Sequence, residues 1–226
     1  MAIKILGICG TPVKGETNTG YLTEMIMDGC RKQGDDVETE IIRLADKKIS
    51  GGCNHCNWCL KKQTPEKACA KDDDWTNEIA PKVVEADALV WATPVYLMRM
   101  SWLMACYLDR HRAFLEGRHY GIRGQEKNGV HNHKPVLSAA VAWVTHGGVE
   151  TTLQLLCQTA ICLGMIPVAG ILSLGVGGVS GAPLGELGAV RKDPNAMAEA
   201  QNGAFRLVEM TRMIKTVKEK MGNKNG

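Results

Sequence analysis

Five short apolar runs punctuate the chain, at 3–8, 37–44, 88–92, 136–144 and 167–172. Most are continuously apolar, as expected of parallel strands covered on both faces. The second alternates, with Val37 and Ile41 among charged residues, which suits a strand at a sheet edge. Between the runs, apolar residues recur at helical spacing. Segment 18–33 carries Leu22, Met25, Ile26 and Gly29 and stops near Gly34. Segment 73–85 opens on acidic residues that favour a helix start. Segments 101–116 and 150–163 follow. A last helix, 196–221, is expected to turn Phe205, Val208, Ile214 and Val217 inward before a Lys-rich tail.

Strand and helix alternating five times predict an α/β fold, a doubly wound parallel sheet with helices on both faces. Five strands with a glycine-containing first loop fit the flavodoxin-like order 2-1-3-4-5 better than the six-strand dinucleotide fold. The expectation is a single domain over 1–226 with a cysteine-rich insertion after the second strand. Three segments exceed ordinary loop length: 47–71, 117–134 and the glycine-rich 173–195. In a compact domain such segments usually serve as lids, binding loops or subunit contacts.

The composition excludes several classes. Lys+Arg 27 against Asp+Glu 24 gives a net charge of +3, and aromatic content is 5%. No Lys/Arg block interleaves with aromatics, so nucleic acid is not an expected partner. No stretch approaches a membrane span. The first apolar run is too short for a secretory segment, so the expected location is cytoplasmic. Nine cysteines in such a chain argue against a disulfide framework. Cys30, Cys106, Cys157 and Cys162 lie in helix-like apolar surroundings and are expected to be buried small hydrophobes.

Three loops carry candidate cofactor chemistry. After the first strand comes Gly7-Ile-Cys-Gly-Thr-Pro-Val-Lys-Gly-Glu-Thr-Asn-Thr19, which is neither a Walker loop nor Gly-x-Gly-x-x-Gly. Hydroxyls at Thr11, Thr17 and Thr19, the Asn18 amide and helix N-terminal N–H groups can surround one phosphate. That suits a monophosphate, and FMN is the common redox cofactor that ends in one. The cradle would comprise Cys9, Thr11, Pro12, Val13, Lys14, Thr17, Asn18 and Thr19. The same residues also make an ordinary capped helix start. Pro94-Val95-Tyr96-Leu97-Met98 follows the third strand at the same sheet edge, where ligands bind in such folds; an ordinary Pro-containing loop is the alternative. Thr145-His146-Gly147-Gly148 follows the fourth strand, where two glycines let backbone approach a planar ring closely. His146 could donate to a reduced, anionic flavin.

The densest chemical signal is Cys53-x-x-Cys56-x-x-Cys59 followed by Cys69. Thiolates at two-residue spacing can converge on one soft metal centre, matching one side of a cubane iron–sulfur cluster with Cys69 as the remaining corner. Zinc also takes four thiolates, though usually from two separated Cys-x-x-Cys pairs. Unmetallated, redox-sensing thiols are the third reading. Lys61, Lys62, Lys67 and Lys71 lie between or beside these cysteines. His131-x-His133 is read as an exposed loop pair, with an accessory metal site as its alternative.

Taken as an ordered set, Gly10-Thr-Pro-Val-Lys-Gly-Glu-Thr-Asn18, the cysteine motif, Asp72-Asp-Asp74, Ala86-Asp87, Thr93-Pro-Val-Tyr96, Leu108-Asp-Arg110 and Gly147-Gly-Val-Glu150 resemble the iron–sulfur flavoprotein family, within the NADPH-dependent FMN reductase group. The resemblance covers about residues 1–165. It implies a cytosolic homodimer or homotetramer that binds FMN and a [4Fe-4S] cluster. It also implies a ferredoxin-like electron donor or NAD(P)H and a small-molecule electron acceptor. The chain departs from the family pattern at Cys9, where Ser is usual, at Val13, where Arg is usual, and at Ala105, where Lys is usual.

Overall fold

A parallel sheet forms the centre of the computed structural model, which describes residues 2–121, 129–143, 147–168, 174–177 and 186–222. Its strands are β1 (Ile3–Cys9), β2 (Val37–Arg43), β3 (Ala88–Tyr96), β4 (Arg99–Met100), β5 (Pro135–Ala142), β6 (Ile166–Pro167) and β7 (Leu174–Gly177). The order is β2-β1-β3-β5-β6, with β4 paired to β3 and β7 to β5. Setting aside the short antiparallel β4, this is the expected 2-1-3-4-5 arrangement, and the alternating second strand does lie at the edge. β6 and β7 share the outermost position beside β5, pairing at Pro135–Val136 and at Ala139–Ala142 respectively. The expected run 167–172 therefore begins in β6; residues 169–173 lie outside the described residues.

β3 runs four residues past its expected end at Ala92. Cys9↔Ala92 is its last pair with β1, whereas pairing with β5 continues to Pro94↔Val141. The chain then folds back as a hairpin, with Val95↔Met100 and Tyr96↔Arg99 paired.

The helices are α1 (Asn18–Arg31), α2 (Trp58–Lys62), α3 (Ala80–Glu85), α4 (Trp102–Asp109), α5 (Arg112–Leu115), α6 (Val149–Cys162) and α7 (Pro194–Gly222). Strand residues alternate between two apolar layers. Ile3, Ile5, Val90 and Leu137 pack with Leu22 and Ile26 of α1 and Leu207 and Val208 of α7. Leu6, Ile8 and Trp91 pack on the opposite side with Trp75, Tyr107, Phe114 and Leu156. Each such side chain contributes about 1.5–3 kcal/mol on burial.

Three helical expectations need correction. Phe205 and Val217 of α7 are exposed; Ala196, Ala200, Ala204, Leu207 and Val208 face inward. The row of alanines four apart brings α7 close against α1, where Ala204 meets Gly29. Segment 73–85 is not a uniform α-helix, because Trp75–Ile79 forms a wide π turn before α3. Pro81 explains it: proline cannot donate to the Asn77 carbonyl and crowds it. Segment 101–116 breaks between α4 and α5, where His111 N→Leu108 O and Ala113 N→Arg110 O tighten the turn. Arg110 and His111 at this break are both fully buried. Cys162, expected inside, is exposed, and Cys106 and Cys157 are only partly covered.

Candidate functional site: a cofactor crevice beside a cysteine concavity

The loops after β1, β3 and β5 leave the sheet at one edge, and hydrogen bonds lock the first two together. Ser101 Oγ donates to the Gly10 carbonyl, and the Ser101 N–H donates to Thr93 Oγ1 at 3.2 Å. The Ser101 hydroxyl also caps α4 by accepting from Met104 N at 3.1 Å. Gly10 N also donates to Ala92 O at 2.7 Å. A Cβ on Gly10 would stand 2.9 Å from Met104 Cβ and 3.1 Å from Ala92 O; only glycine lets the loop pass this close to β3. Ser101 was not singled out by sequence reading, though a Ser just before an apolar helical run is a capping signal.

Within the first loop, Thr11 is buried and its hydroxyl accepts from Val13 N. Thr17 caps α1 by accepting from Gly20 N at 3.0 Å. Asn18 reaches across to the segment before α7: Nδ2 donates to Glu186 O at 2.8 Å and Oδ1 accepts from Gly188 N at 2.9 Å. Cys9 and Thr19 are buried, and burial raises the Cys9 thiol pKa. Pro12, Val13 and Lys14 stand at the surface of the loop, with Val13 exposed. The cation that the family pattern places at Val13 has a counterpart at the end of β2, where Arg43 Nη2 donates to the Gly15 carbonyl. Sequence reading missed it because Arg43 is distant in the chain.

The second loop is the β3–β4 hairpin. Leu97 and Met98 both have positive φ, 48° and 67°, as a two-residue hairpin turn requires. Neither is the Asn or Gly such a turn prefers, so the backbone is strained there. Leu97 is 92% exposed and Tyr96 and Met98 are largely so, beside Pro94 and Val95 that stay covered. Trp102 and Trp143 are also exposed at this edge. The third loop closes on the hairpin. Gly148 has φ +94°, and a Cβ there would lie 2.6 Å from Met98 Cα. Gly147 precedes it; Thr145 and His146 lie outside the described residues.

The cysteine segment forms the second half. Cys53, Cys56, Cys59 and Cys69 line one concavity with Asn57, Lys71, Arg110 and Arg112. His55 and Asn57 curl the backbone between the first three cysteines through positive φ values of 56° and 58°. Cys53 and Cys56 are exposed, while Cys59 and Cys69 rest partly buried on the apolar layer beneath. Burial raises the Cys59 thiol pKa, Arg112 opposes it, and the other three cysteines add to it. Among the described residues, no group of three His, Cys, Asp or Glu is disposed to hold one metal ion.

Polar residues fasten this segment at both ends, Asp73 and Gln63 among them buried. Asp73 accepts from Ser50 N and Oγ at 2.9 and 2.7 Å and from both terminal nitrogens of Arg110. Asp74 accepts from Lys48 N at 2.7 Å. Gln63 donates to the Ala68 and Ala113 carbonyls at 3.0 and 2.9 Å and accepts from His119 N and Tyr120 N, both at 2.9 Å. Arg110 also lies over the Trp75 ring, 4.6 Å from its centroid. Of the lysines, Lys71 reaches the Ser50 carbonyl and Lys67 lies over Trp58, while Lys61 and Lys62 are exposed. His131-x-His133 is not an exposed pair: His131 is buried, with Nε2 2.9 Å from His111 Nδ1.

The NADPH-dependent FMN reductase family pattern matches residues 3–177. An iron–sulfur flavoprotein of Archaeoglobus fulgidus is 31% identical over 222 residues, covering 96% of this chain and 100% of the relative. One from Methanocaldococcus jannaschii is 30% identical over 216 residues, covering 94% and 100%. The chain belongs to the iron–sulfur flavoprotein family. Membership makes it an FMN-dependent oxidoreductase. Solved structures agree on the fold of the family. RosB with a bound riboflavin-phosphate intermediate superposes with a TM-score of 0.71 at 17% identity, covering 100% of this chain and 88% of that one. An NAD(P)H:quinone oxidoreductase from Methanothermobacter marburgensis gives 0.56 at 15%, covering 90% and 96%. Among the described residues, no helix is long and apolar enough to cross a membrane.

Proposed function

We propose that this flavoprotein transfers electrons between a [4Fe-4S] cluster held by Cys53, Cys56, Cys59 and Cys69 and FMN seated in the crevice. The carrying observation is the position of α4. Its N-terminal cap, Ser101, is bonded to the first loop, and Arg110 just beyond its C-terminus is bonded to the neck of the cysteine segment. Eight helical residues span about 12 Å, so one rigid element separates the two sites.

The residues fit both groups. The first loop offers a helix N-terminus with Thr11, Thr17 and Thr19 around it and Arg43 alongside, a setting for an anionic phosphate. The hairpin Pro94–Met98 and Gly147–Gly148 offer apolar surface and close-approaching backbone for a planar ring. For the metal, one zinc needs its four sulfurs about 3.8 Å apart. The four cysteines share one concavity, and a compact triplet at two-residue spacing plus one matches a cubane better than the two separated pairs usual for zinc. Bound there, the two groups would supply one- and two-electron chemistry; the chain binds, spaces and insulates them.

In this reading a low-potential donor such as a ferredoxin docks at the exposed Cys53–Cys56 side in the cytoplasm, and a small-molecule acceptor meets the crevice, in a homodimer or homotetramer. A second reading rests on the exposed Tyr96, Leu97, Met98 and Trp143: this open apolar edge would admit NAD(P)H to the flavin, with the cysteines holding zinc or only shaping the segment. Anaerobic purification with iron, sulfide, zinc and FMN assays beside a visible spectrum separates them. About four irons and four sulfides per FMN support the first reading. Zinc with FMN and no sulfide selects the second.

A further inference from the structure

Among the described residues, two arginine N–H groups at the cysteine concavity have no acceptor. Arg110 Nε and Arg112 Nη1 are buried, and neither finds a hydrogen-bond partner. Both side chains line the concavity that the four cysteines line. The remaining arms of the two guanidiniums are engaged. Arg110 Nη1 and Nη2 hold Asp73, and Nη2 also reaches Thr76 Oγ1 at 2.8 Å. Arg112 Nε donates to Glu116 Oε2 at 2.7 Å, and Nη2 to Asn57 Oδ1 at 2.9 Å. Native proteins leave few buried donors unsatisfied, and those of charged groups are the costliest. Two such donors on the wall of one cavity point to acceptors that belong inside it.

The chemistry of those acceptors follows from what else lines the wall. Asp73 and Glu116 already balance the two positive charges, so what the guanidiniums retain is directional donors, not a free cation. The Arg112 guanidinium shares the concavity with the four sulfurs and is held in one orientation by Asn57, a residue of the cysteine loop itself. The planar fork suits this better than a lysine ammonium, because its bonds to Glu116 and Asn57 fix its plane and so aim Nη1.

We infer that Arg112, supported by Arg110, donates to sulfur at the metal centre of this concavity and sets its reduction potential. The inference rests on the cluster reading above. Reduction adds one electron and one negative charge, spread largely over sulfur. A fixed donor stabilises the reduced form more than the oxidised one and so raises the potential; hydrogen bonds to sulfur are among the main levers a protein has on it. Arg112 is a positioning and tuning residue here, with no part in binding substrate.

The test uses the full chain, purified anaerobically, as parent, Arg112→Gln and Arg112→Lys, with the exposed Lys61→Gln as control. Iron, sulfide and zinc are assayed, and the potential is read by a mediated dithionite titration followed by electron paramagnetic resonance. In Arg112→Gln, with iron and sulfide unchanged, the ratio of reduced to oxidised centre at a fixed potential falls about tenfold. For a one-electron couple that is a shift of about 59 mV to more negative values. Arg112→Lys, which keeps the charge but loses the fork, shifts the same way by less, and Lys61→Gln does not shift. An unchanged potential in an assembled Arg112→Gln overturns the inference and leaves the cluster reading standing. If that variant does not assemble, an unchanged potential in Arg112→Lys overturns it. Zinc without sulfide in the parent overturns both.

Discussion

Asp73 and Arg110 form a two-pronged ion pair, Nη1 to Oδ2 at 2.9 Å and Nη2 to Oδ1 at 3.2 Å, with essentially no solvent exposure. Burial alone would push the Asp73 carboxyl up. The Arg110 fork and the two Ser50 donors outweigh it and hold it well below the usual carboxylate range. Asp73→Asn keeps the shape but leaves Arg110 charged and unpaired. The expected loss is about 3–5 kcal/mol, read as a lower urea midpoint. The sign with pH follows: a depressed folded pKa gives stability that is full at neutral pH and fades as pH falls below about 4. Asp73→Asn should lack that fade, and a parent-like acid limb would contradict this account.

Among the described residues, Lys134 is a buried cation without a carboxylate partner in hydrogen-bond range; its ammonium donates to the Val83 and Val84 carbonyls at the end of α3, at 2.6 and 3.5 Å. Burial lowers its pKa to about 7. The unfolded chain then binds the proton more tightly than the folded one, so stability rises with pH from about 7 to about 10. Chemical denaturation of Lys134→Met across that window should show a flatter profile than the parent. Equal slopes would mean that Lys134 keeps an ordinary pKa.

His111 and His131 bring the opposite limb. Burial lowers His111 to about 3 and also lowers His131, whose neighbour His111 adds to the effect. Both are neutral in the folded chain and share one ring-to-ring hydrogen bond. Stability is therefore lost as pH falls below about 6.5, with up to about 1.4 kcal/mol per pH unit from each ring. The double variant His111→Phe/His131→Phe removes both titrations and leaves no ring nitrogen stranded. Its urea midpoint should fall less than the parent's between pH 6.5 and pH 5; an identical fall would place the acid sensitivity elsewhere.

At the crevice, Gly148→Ala meets two penalties at once, a positive φ and a Cβ 2.6 Å from Met98 Cα. Relief requires the hairpin to move away from the third loop. FMN affinity, followed by quenching of flavin fluorescence, should weaken about tenfold, the equivalent of about 1.4 kcal/mol. Unchanged affinity would separate Gly148 from the cofactor.

The strained Leu97–Met98 turn offers a converse case. Leu97→Asn/Met98→Gly supplies the residues this turn prefers and should raise stability by about 1 kcal/mol, while removing exposed apolar surface from the crevice. Thermal unfolding and FMN titration on the same protein should move in opposite directions. A variant that gains stability and keeps its FMN affinity would show that the two side chains serve only the backbone.

The strand order was legible because parallel strands buried on both faces announce themselves as apolar runs, and β2 betrayed its edge position by alternating. The β3–β4 hairpin was not: its return strand is two residues long, and neither turn residue carries a turn signature. The cysteine spacing was legible as chemistry, and the fold brings all four to one wall. Their fastenings were hidden for a different reason. Asp73 and Arg110, or Ser101 and Gly10, become partners only when the sheet stacks distant loops, and no local pattern encodes that. The alanine row of α7 shows a third kind of miss, where a helix chose its small-residue face over its bulkiest one to approach α1.

Gln63 has the widest reach among these fastenings, since its single amide serves carbonyls at Ala68 and Ala113 and amides at His119 and Tyr120. Four backbone groups from three stretches of chain meet at one side chain, so the cysteine segment and the stretch after α5 are welded and cannot be inherited, transplanted or trimmed separately. An engineer wishing to move this sulfur-rich lobe to another scaffold would have to carry α5 and the following turn with it.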